Sequence, residues 1–248
     1  METPWFVPPS DFLGRLPARS RDSLLVRGRR AVYRKNDAVF QTGSPGANVY
    51  ILINGRVKIY ALSPAGRVVI LWFCFPGEIF GLAEMARAGR RGVAAEACTE
   101  SEALVIPQHQ FKAFLQHDSD AALFVIDLLS CRLRGLADML INLTSDDVTT
   151  RLVKLLIRLS ARYGKSLSAA ETLLDIHLTH QEIADMIGTS RQSASTAINA
   201  LKRQGLLSMN KHCIHIQNGK LLENLASNLL PGAAMARGAS GLSFARRV

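Results

Sequence analysis

The chain is poor in the residues that build stapled or metal-held folds. Among 248 residues there are four Cys and six His. Cys74, Cys98, Cys131 and Cys213 stand too far apart for a Cys-x-x-Cys knuckle or a readable disulfide framework, and no metal site is expected. No apolar run approaches the roughly 18 residues that a membrane-crossing helix needs. The opening Met-Glu-Thr-Pro-Trp-Phe-Val-Pro-Pro lacks the basic start and continuous apolar stretch of a secretory signal, so a cytoplasmic protein without membrane association is expected. Acidic residues are also in deficit, with 20 Asp+Glu against 30 Lys+Arg. What is present is apolar bulk: 48% of residues are hydrophobic, enough for one large or two modest buried cores.

The basic excess is localised. Residues 1–148 hold 17 Lys+Arg and 15 Asp+Glu, net +2, whereas residues 149–248 hold 13 against 5, net +8. A cationic segment beside a near-neutral one suits a phosphate-backbone binder with an attached control domain, because each neutralised phosphate releases condensed counterions. Charge alone leaves a merely soluble basic surface open.

Residues 1–28 are rich in Pro and Arg and read as an N-terminal arm, with a short helix around Asp11–Leu25 whose Phe12, Leu13, Leu16, Leu24 and Leu25 could dock on the domain C-terminal to it. From Arg29 to Ile106 short apolar runs alternate with turn formers. Asn54-Gly55 between Val49–Ile53 and Arg56–Tyr60 predicts a hairpin with a type I′ turn, both of whose central residues need positive φ. Pro64-Ala65-Gly66 and Pro76-Gly77 bracket a further strand over Arg67–Phe75. Strands at this spacing predict a sandwich, barrel or roll over residues 29–118.

A long helix is expected over residues 119–146. Ile126, Leu129, Leu133, Leu136, Leu140 and Leu143 advance by alternating threes and fours, the pattern of a coiled-coil seam. The expectation is a two-fold dimer zipped through this helix, the alternative being a helix buried within one chain.

The remaining domain covers residues 147–230, followed by an Ala/Gly/Ser-rich tail over 231–248 to which no function is assigned. A helix runs from Asp147 to about Tyr163, closed by Gly164-Lys165-Ser166. Thr179-His180-Gln181-Glu182 has the form of a capping box, Ile183, Met186 and Ile187 form a buried stripe, and Gly188 supplies a left-handed turn residue. Thr189-Ser190-Arg191-Gln192 starts a second helix that buries Ala194, Ile198 and Leu201 and leaves Arg191, Gln192, Ser195 and Asn199 outside. Two short helices joined in this way make a helix-turn-helix, whose second helix fits the major groove of B-DNA. Arg191, Gln192 and Ser195 are the expected base readers, since Arg forks onto guanine and Gln onto adenine. Thr179, His180, Ser190, Lys202, Arg203 and Lys211 are expected on phosphates, where they set register without reading sequence. Residues 206–217 read as a hairpin, or wing, turning at Asn210-Lys211.

The stretch Leu178–Ile198, preceded by a β-roll and a long helix, resembles the cyclic-AMP receptor protein/FNR (Crp/Fnr) family of bacterial transcription regulators over about residues 29–225. The resemblance implies an α+β chain: an N-terminal cyclic-nucleotide-binding-like β-roll, a long dimerisation helix and a C-terminal winged helix-turn-helix. It also implies a homodimer on a two-fold symmetric duplex site, contacts with RNA polymerase, and no enzymatic activity or catalytic residues. In the family's phosphate-binding turn, Gly77-Glu78-Ile79-Phe80-Gly81 matches the start and Arg91, beside Arg90, falls on the arginine. Gly92 stands where Ser is expected, the segment between is a residue shorter, and Glu84 is a loose counterpart of the ribose-holding acid. Leu136 and Ala137 occupy positions where Thr and Ser would face the purine. Unpaired purine donors and acceptors cost on the order of 1–3 kcal/mol each, so tight dependence on cyclic AMP is not expected; the effector stays unknown.

A regulator responsive to cyclic AMP or cyclic di-GMP, and a non-specific architectural DNA binder, stay open as alternatives. An iron–sulfur cluster is not expected, because residues 1–73 contain no Cys. Haem is not expected, because all six His lie outside residues 29–106, which also speaks against a cupin-type metalloenzyme.

Overall fold

The computed structural model describes residues 11–86, 89–168, 170–210 and 213–228. It falls into two compact units, Met1–Leu140 and Ile141–Val248.

In the first unit, helices α1 (Phe12–Arg15) and α2 (Ala18–Leu25) precede eight strands: β1 (Arg29–Tyr33), β2 (Ala38–Phe40), β3 (Asn48–Asn54), β4 (Val57–Leu62), β5 (Val68–Cys74), β6 (Ile79–Phe80), β7 (Ala94–Ala97) and β8 (Ser101–Pro107). They form two antiparallel four-stranded sheets in the orders β1-β8-β3-β6 and β2-β7-β4-β5. The expected hairpin at Asn54-Gly55 does not form. β3 pairs with β8 and β6, whereas β4 pairs with β5 and β7, so the turn carries the chain from one sheet to the other. Val49, Tyr50, Ile51 and Leu52 are all buried, and a strand covered on both faces belongs between layers rather than in an outer hairpin. Gly55 has φ 90° but Asn54 does not share a positive φ, so no type I′ turn is present. The tight connection between paired strands lies instead at Ser63–Arg67, where Gly66 has φ 73°.

The expected N-terminal helix is broken at Pro17, which holds Leu16 extended (ψ 138°). The segment from Asp11 is no loose arm: Phe12, Leu16 and Leu24 are buried in the same core as Ile51, Ile79 and Phe111. After Pro107 comes α3 (Gln108–His117), burying Phe111 and Phe114, which the strand reading overlooked. Next, α4 runs over Ser119–Ser145. It turns Ala121, Val125, Leu128 and Cys131 inward, and leaves Ile126 58%, Leu133 69% and Leu140 64% exposed. Leu129 and Leu143 are also exposed, and Leu136 is half-buried.

In the second unit, α5 (Val148–Tyr163) starts at Asp147, whose carboxylate accepts the Thr150 N–H at 2.7 Å. Burial of Leu152, Val153, Leu155, Leu156 and Leu159 gives it one apolar face. Gly164-Lys165-Ser166 does not merely close the helix; it is strand β9, paired with β10 (Thr172–His177). Helices α6 (His180–Ile187) and α7 (Arg191–Arg203) follow, then β11 (Leu207–Asn210), β12 (Cys213–Ile216) and α8 (Gly219–Asn228). The wing hairpin β11–β12 belongs to a larger sheet, ordered β11-β12-β10-β9. Lys211 and His212, residues 1–10 of the N-terminal arm and the tail over 231–248 lie outside the described residues.

Candidate functional site

Local chemistry sets the frame of α6 and α7. The Thr179 N–H donates to Glu182 Oε2 at 2.8 Å and the Glu182 N–H returns to Thr179 Oγ1 at 3.1 Å, a complete capping box. Gly188, with φ 64° and ψ 48°, ends α6 in the left-handed conformation. Ser190 then caps α7 through the Ser193 N–H at 3.1 Å. α7 buries Ala194, Ala197, Ile198 and Leu201 and keeps Arg191 and Gln192 exposed. On α6 the buried positions are Ile183, Ala184 and Ile187; Met186, expected in the stripe, is only half-buried.

A cleft of about 520 Å³ opens along this frame, lined by Thr179, His180, Gln181, Arg191, Lys202 and Met209. It brings together four of the residues expected to act on DNA, namely Thr179, His180, Arg191 and Lys202. Two lining residues escaped sequence reasoning. Gln181 sits within the capping box, and Met209 lies on a wing strand; neither carries a chemical signal of its own. Arg203 and Ser190 are exposed but do not line the cleft, and Ser190 is committed to its cap and to the Ser193 hydroxyl. Ser195 departs from a freely projecting base reader: it is half-buried, with its Oγ 2.8 Å from His180 Nδ1. This contact ties the first turn of α6 to the middle of α7.

The phosphate-turn candidates lie in the roll. Gly77 has φ 85°, its N–H donates to the Leu52 carbonyl at 2.8 Å, and a side chain there would collide with the Asp11 carboxylate. Glu78 is buried. Arg91 is no exposed basic-loop residue; it is 3% exposed. Its guanidinium donates to Glu84 Oε2 at 2.5 Å, to the Gly81 carbonyl at 3.0 Å and to the Asn48 carbonyl, and it lies 4.3 Å from the centre of the Phe40 ring. Arg90 is exposed and donates to the Gly43 carbonyl at 2.8 Å. Gly92 and Ala137 are exposed and Leu136 is half-buried; none of the three offers a polar side chain. Cys74, Cys98 and Cys131 are buried thiols.

A roll of two antiparallel sheets, a long helix and a capped helix-turn-helix with a wing define a class: regulators that join a ligand-sensing roll to a DNA-binding domain. The sequence matches the cyclic nucleotide-binding domain over residues 30–118 and the Crp-like helix-turn-helix domain over residues 150–225. It is 27% identical over 194 residues to a CRP-like cAMP-activated global transcriptional regulator of Mycobacterium tuberculosis, covering 78% of this chain and 86% of that one. It is also 27% identical over 209 residues to the cyclic AMP receptor protein of Thermus thermophilus, covering 84% and 93%. Among solved structures, a CooA variant from Carboxydothermus hydrogenoformans superposes with a TM-score of 0.77 at 21% identity, covering 89% of this chain and 97% of that one. FixK2 from Bradyrhizobium japonicum superposes with 0.70 at 24% identity, covering 80% and 96%.

The chain belongs to the Crp/Fnr family of bacterial transcription regulators. It is a DNA-binding regulator and not an enzyme. Among the described residues no helix is long and apolar enough to cross a membrane.

Proposed function

We propose that the protein is a cytoplasmic homodimer that reads a two-fold symmetric duplex with α7 in the major groove and contacts RNA polymerase to set transcription. The observation that carries this reading is the exposed pair Arg191 and Gln192 at the start of α7, beside a cleft with Thr179, His180 and Lys202 on its walls. Arg191 and Gln192 read base edges. Thr179, His180, Lys202, Arg203 and Lys211 hold phosphates, while Ser195 acts by positioning His180. The dimer forms along α4, where Ile126, Leu129, Leu133, Leu140 and Leu143 make an exposed apolar stripe unsuited to solvent.

The roll does not fit tight cyclic AMP binding. The Arg91 guanidinium is neutralised by Glu84 and its two terminal nitrogens also donate to two carbonyls, so a phosphate would have to displace an existing buried ion pair. Leu136 and Ala137 offer a purine nothing to bond. Each group left unpaired costs on the order of 1–3 kcal/mol, about tenfold in affinity per 1.4 kcal/mol.

Selection of bound duplexes from a random pool tests the DNA reading. A specific regulator enriches an inverted repeat with half-sites one helical turn apart; a pool without an enriched motif refutes it. Calorimetry with cyclic AMP tests the pocket, and micromolar or tighter binding overturns that part.

A further inference from the structure

One of the four thiols stands apart from the packed interior. Cys74, Cys98 and Cys131 are buried, whereas Cys213, the first residue of β12, is part-exposed. Its Sγ lies 3.1 Å from Nε2 of His177, an exposed residue at the end of β10. The two meet because the ladder between their strands is irregular. Leu174 faces Ile214, but the next pair is His177 with Cys213, so β10 spends three positions where β12 spends one. Regular pairing would have set Asp175 against the thiol; Asp175 instead pairs with Lys165 at 2.7 Å. A bulge re-aims side chains, and this one puts a base beside the sulfur in place of a carboxylate that would repel a thiolate.

A thiol becomes a nucleophile when a neighbouring imidazole takes its proton, and disulfide exchange then needs access to the sulfur. Cys213 has both, and burial denies the access to the other three thiols. We propose that Cys213 and His177 form a reactive pair that takes S-thiolation by a low-molecular-weight disulfide of the glutathione class. The thiol proton passes to His177 Nε2 as Cys213 Sγ attacks one sulfur of the disulfide. A new S–S bond forms as the old one breaks, and the departing thiolate takes up the proton. Cys213 is oxidised, the departing sulfur is reduced, and one small thiol is released. Cys213 pairs with Asn210 in the last rung of the wing ladder, and the preceding Met209 lines the cleft. A glutathionyl group there adds bulk and net negative charge to the wing, which opposes contact with phosphates. This effect rests on the reading of the wing and α7 as the duplex-binding face.

Glutathione disulfide, incubated with the folded full chain at neutral pH, is expected to add one glutathionyl group per chain by intact mass. Peptide mapping should place it on Cys213, and Cys213→Ser should take none. His177→Gly is expected to slow the addition about tenfold or more, and imidazole in the buffer to restore part of the rate, which a purely structural role of His177 would not allow. Should that variant unfold by circular dichroism, His177→Gln, which keeps a polar side chain on the strand without a base, is expected to show the same slowing. No addition, addition at another cysteine, an unchanged rate in the His177 variants, or slowing that imidazole does not relieve overturns the proposal. Gel shift on the selected duplex separates the two levels. The glutathionylated chain is expected to bind severalfold more weakly and to recover on treatment with dithiothreitol. A modified chain that binds unchanged upholds the reactive pair and refutes its influence on DNA binding; an unmodified chain that selects no duplex refutes the reading of α7 and the wing, and leaves the thiol result, measured without DNA, to stand or fall alone.

Discussion

Replacing Leu133 and Leu140 together by Asp is expected to turn the proposed dimer into monomers. In the single chain these side chains are 69% and 64% exposed, so roughly two-thirds of each is available for burial by a partner. Complete burial of a leucine is worth about 1.5–3 kcal/mol, which gives roughly 1–2 kcal/mol per side chain here. A two-fold seam buries each residue twice, so the double substitution removes about 4–8 kcal/mol of association free energy before any cost of desolvating four carboxylates. That corresponds to a rise of about 10³- to 10⁶-fold in the dissociation constant. The residues that anchor α4 on its own core, Ala121, Val125 and Leu128, are untouched, so the helix itself should persist. Light scattering on a sizing column at micromolar protein, with circular dichroism on the same fractions, reads both quantities. A dimeric mass at unchanged helicity would refute the seam.

Arg191→Ala should weaken binding to the selected duplex by about 1–3 kcal/mol and relax preference at one base pair, whereas Lys202→Ala should weaken all duplexes alike and flatten the salt dependence. Competition gel shifts separate the two, and a sequence-blind loss with Arg191→Ala would remove it from base reading. Arg91→Met leaves Glu84 buried without its cation and should cost on the order of 3–5 kcal/mol; adding Glu84→Gln should restore part of that in urea unfolding, and no recovery would mean the two side chains are not coupled. Hydrogen bonds from Thr150 hold the Asp147 carboxyl below its ordinary value. A depressed folded-state pKa stabilises above the unfolded-state pKa, and that contribution is lost as pH falls through the folded one. Asp147→Ala should therefore lower stability by about 1 kcal/mol near neutral pH, with the gap to the parent closing in strong acid; a pH-independent gap would argue against the cap.

Much of the DNA-binding half was legible in one dimension because its determinants are local. A capping box needs Thr179 and Glu182 three residues apart, a left-handed turn needs Gly188, and the leucine rhythm of α4 needs only helical spacing. These are properties of neighbours along the chain, and the structure reproduces them. The roll was legible in composition but not in pairing. Asn54-Gly55 carries the local signature of a hairpin, yet four consecutive buried residues before it make β3 a central strand, and burial on both faces overrides turn chemistry.

Tertiary structure alone decided the chemistry of the two sites. His180 meets Ser195 across 15 positions, and Arg132 meets the Ile79 carbonyl across 53. No periodicity encodes such distances. Arg91 is a basic residue in any sequence window; only the folded interior, which withdraws it from water and sets Glu84 against it, makes it a neutralised ion. Arg132 is equally basic on paper, and only the fold sets its guanidinium over the Trp72 indole and against the Ile79 carbonyl. Local sequence specifies which residues are cationic, because charge is a property of a side chain; burial and partnership specify which cations remain open to a ligand, because those are properties of the packed whole.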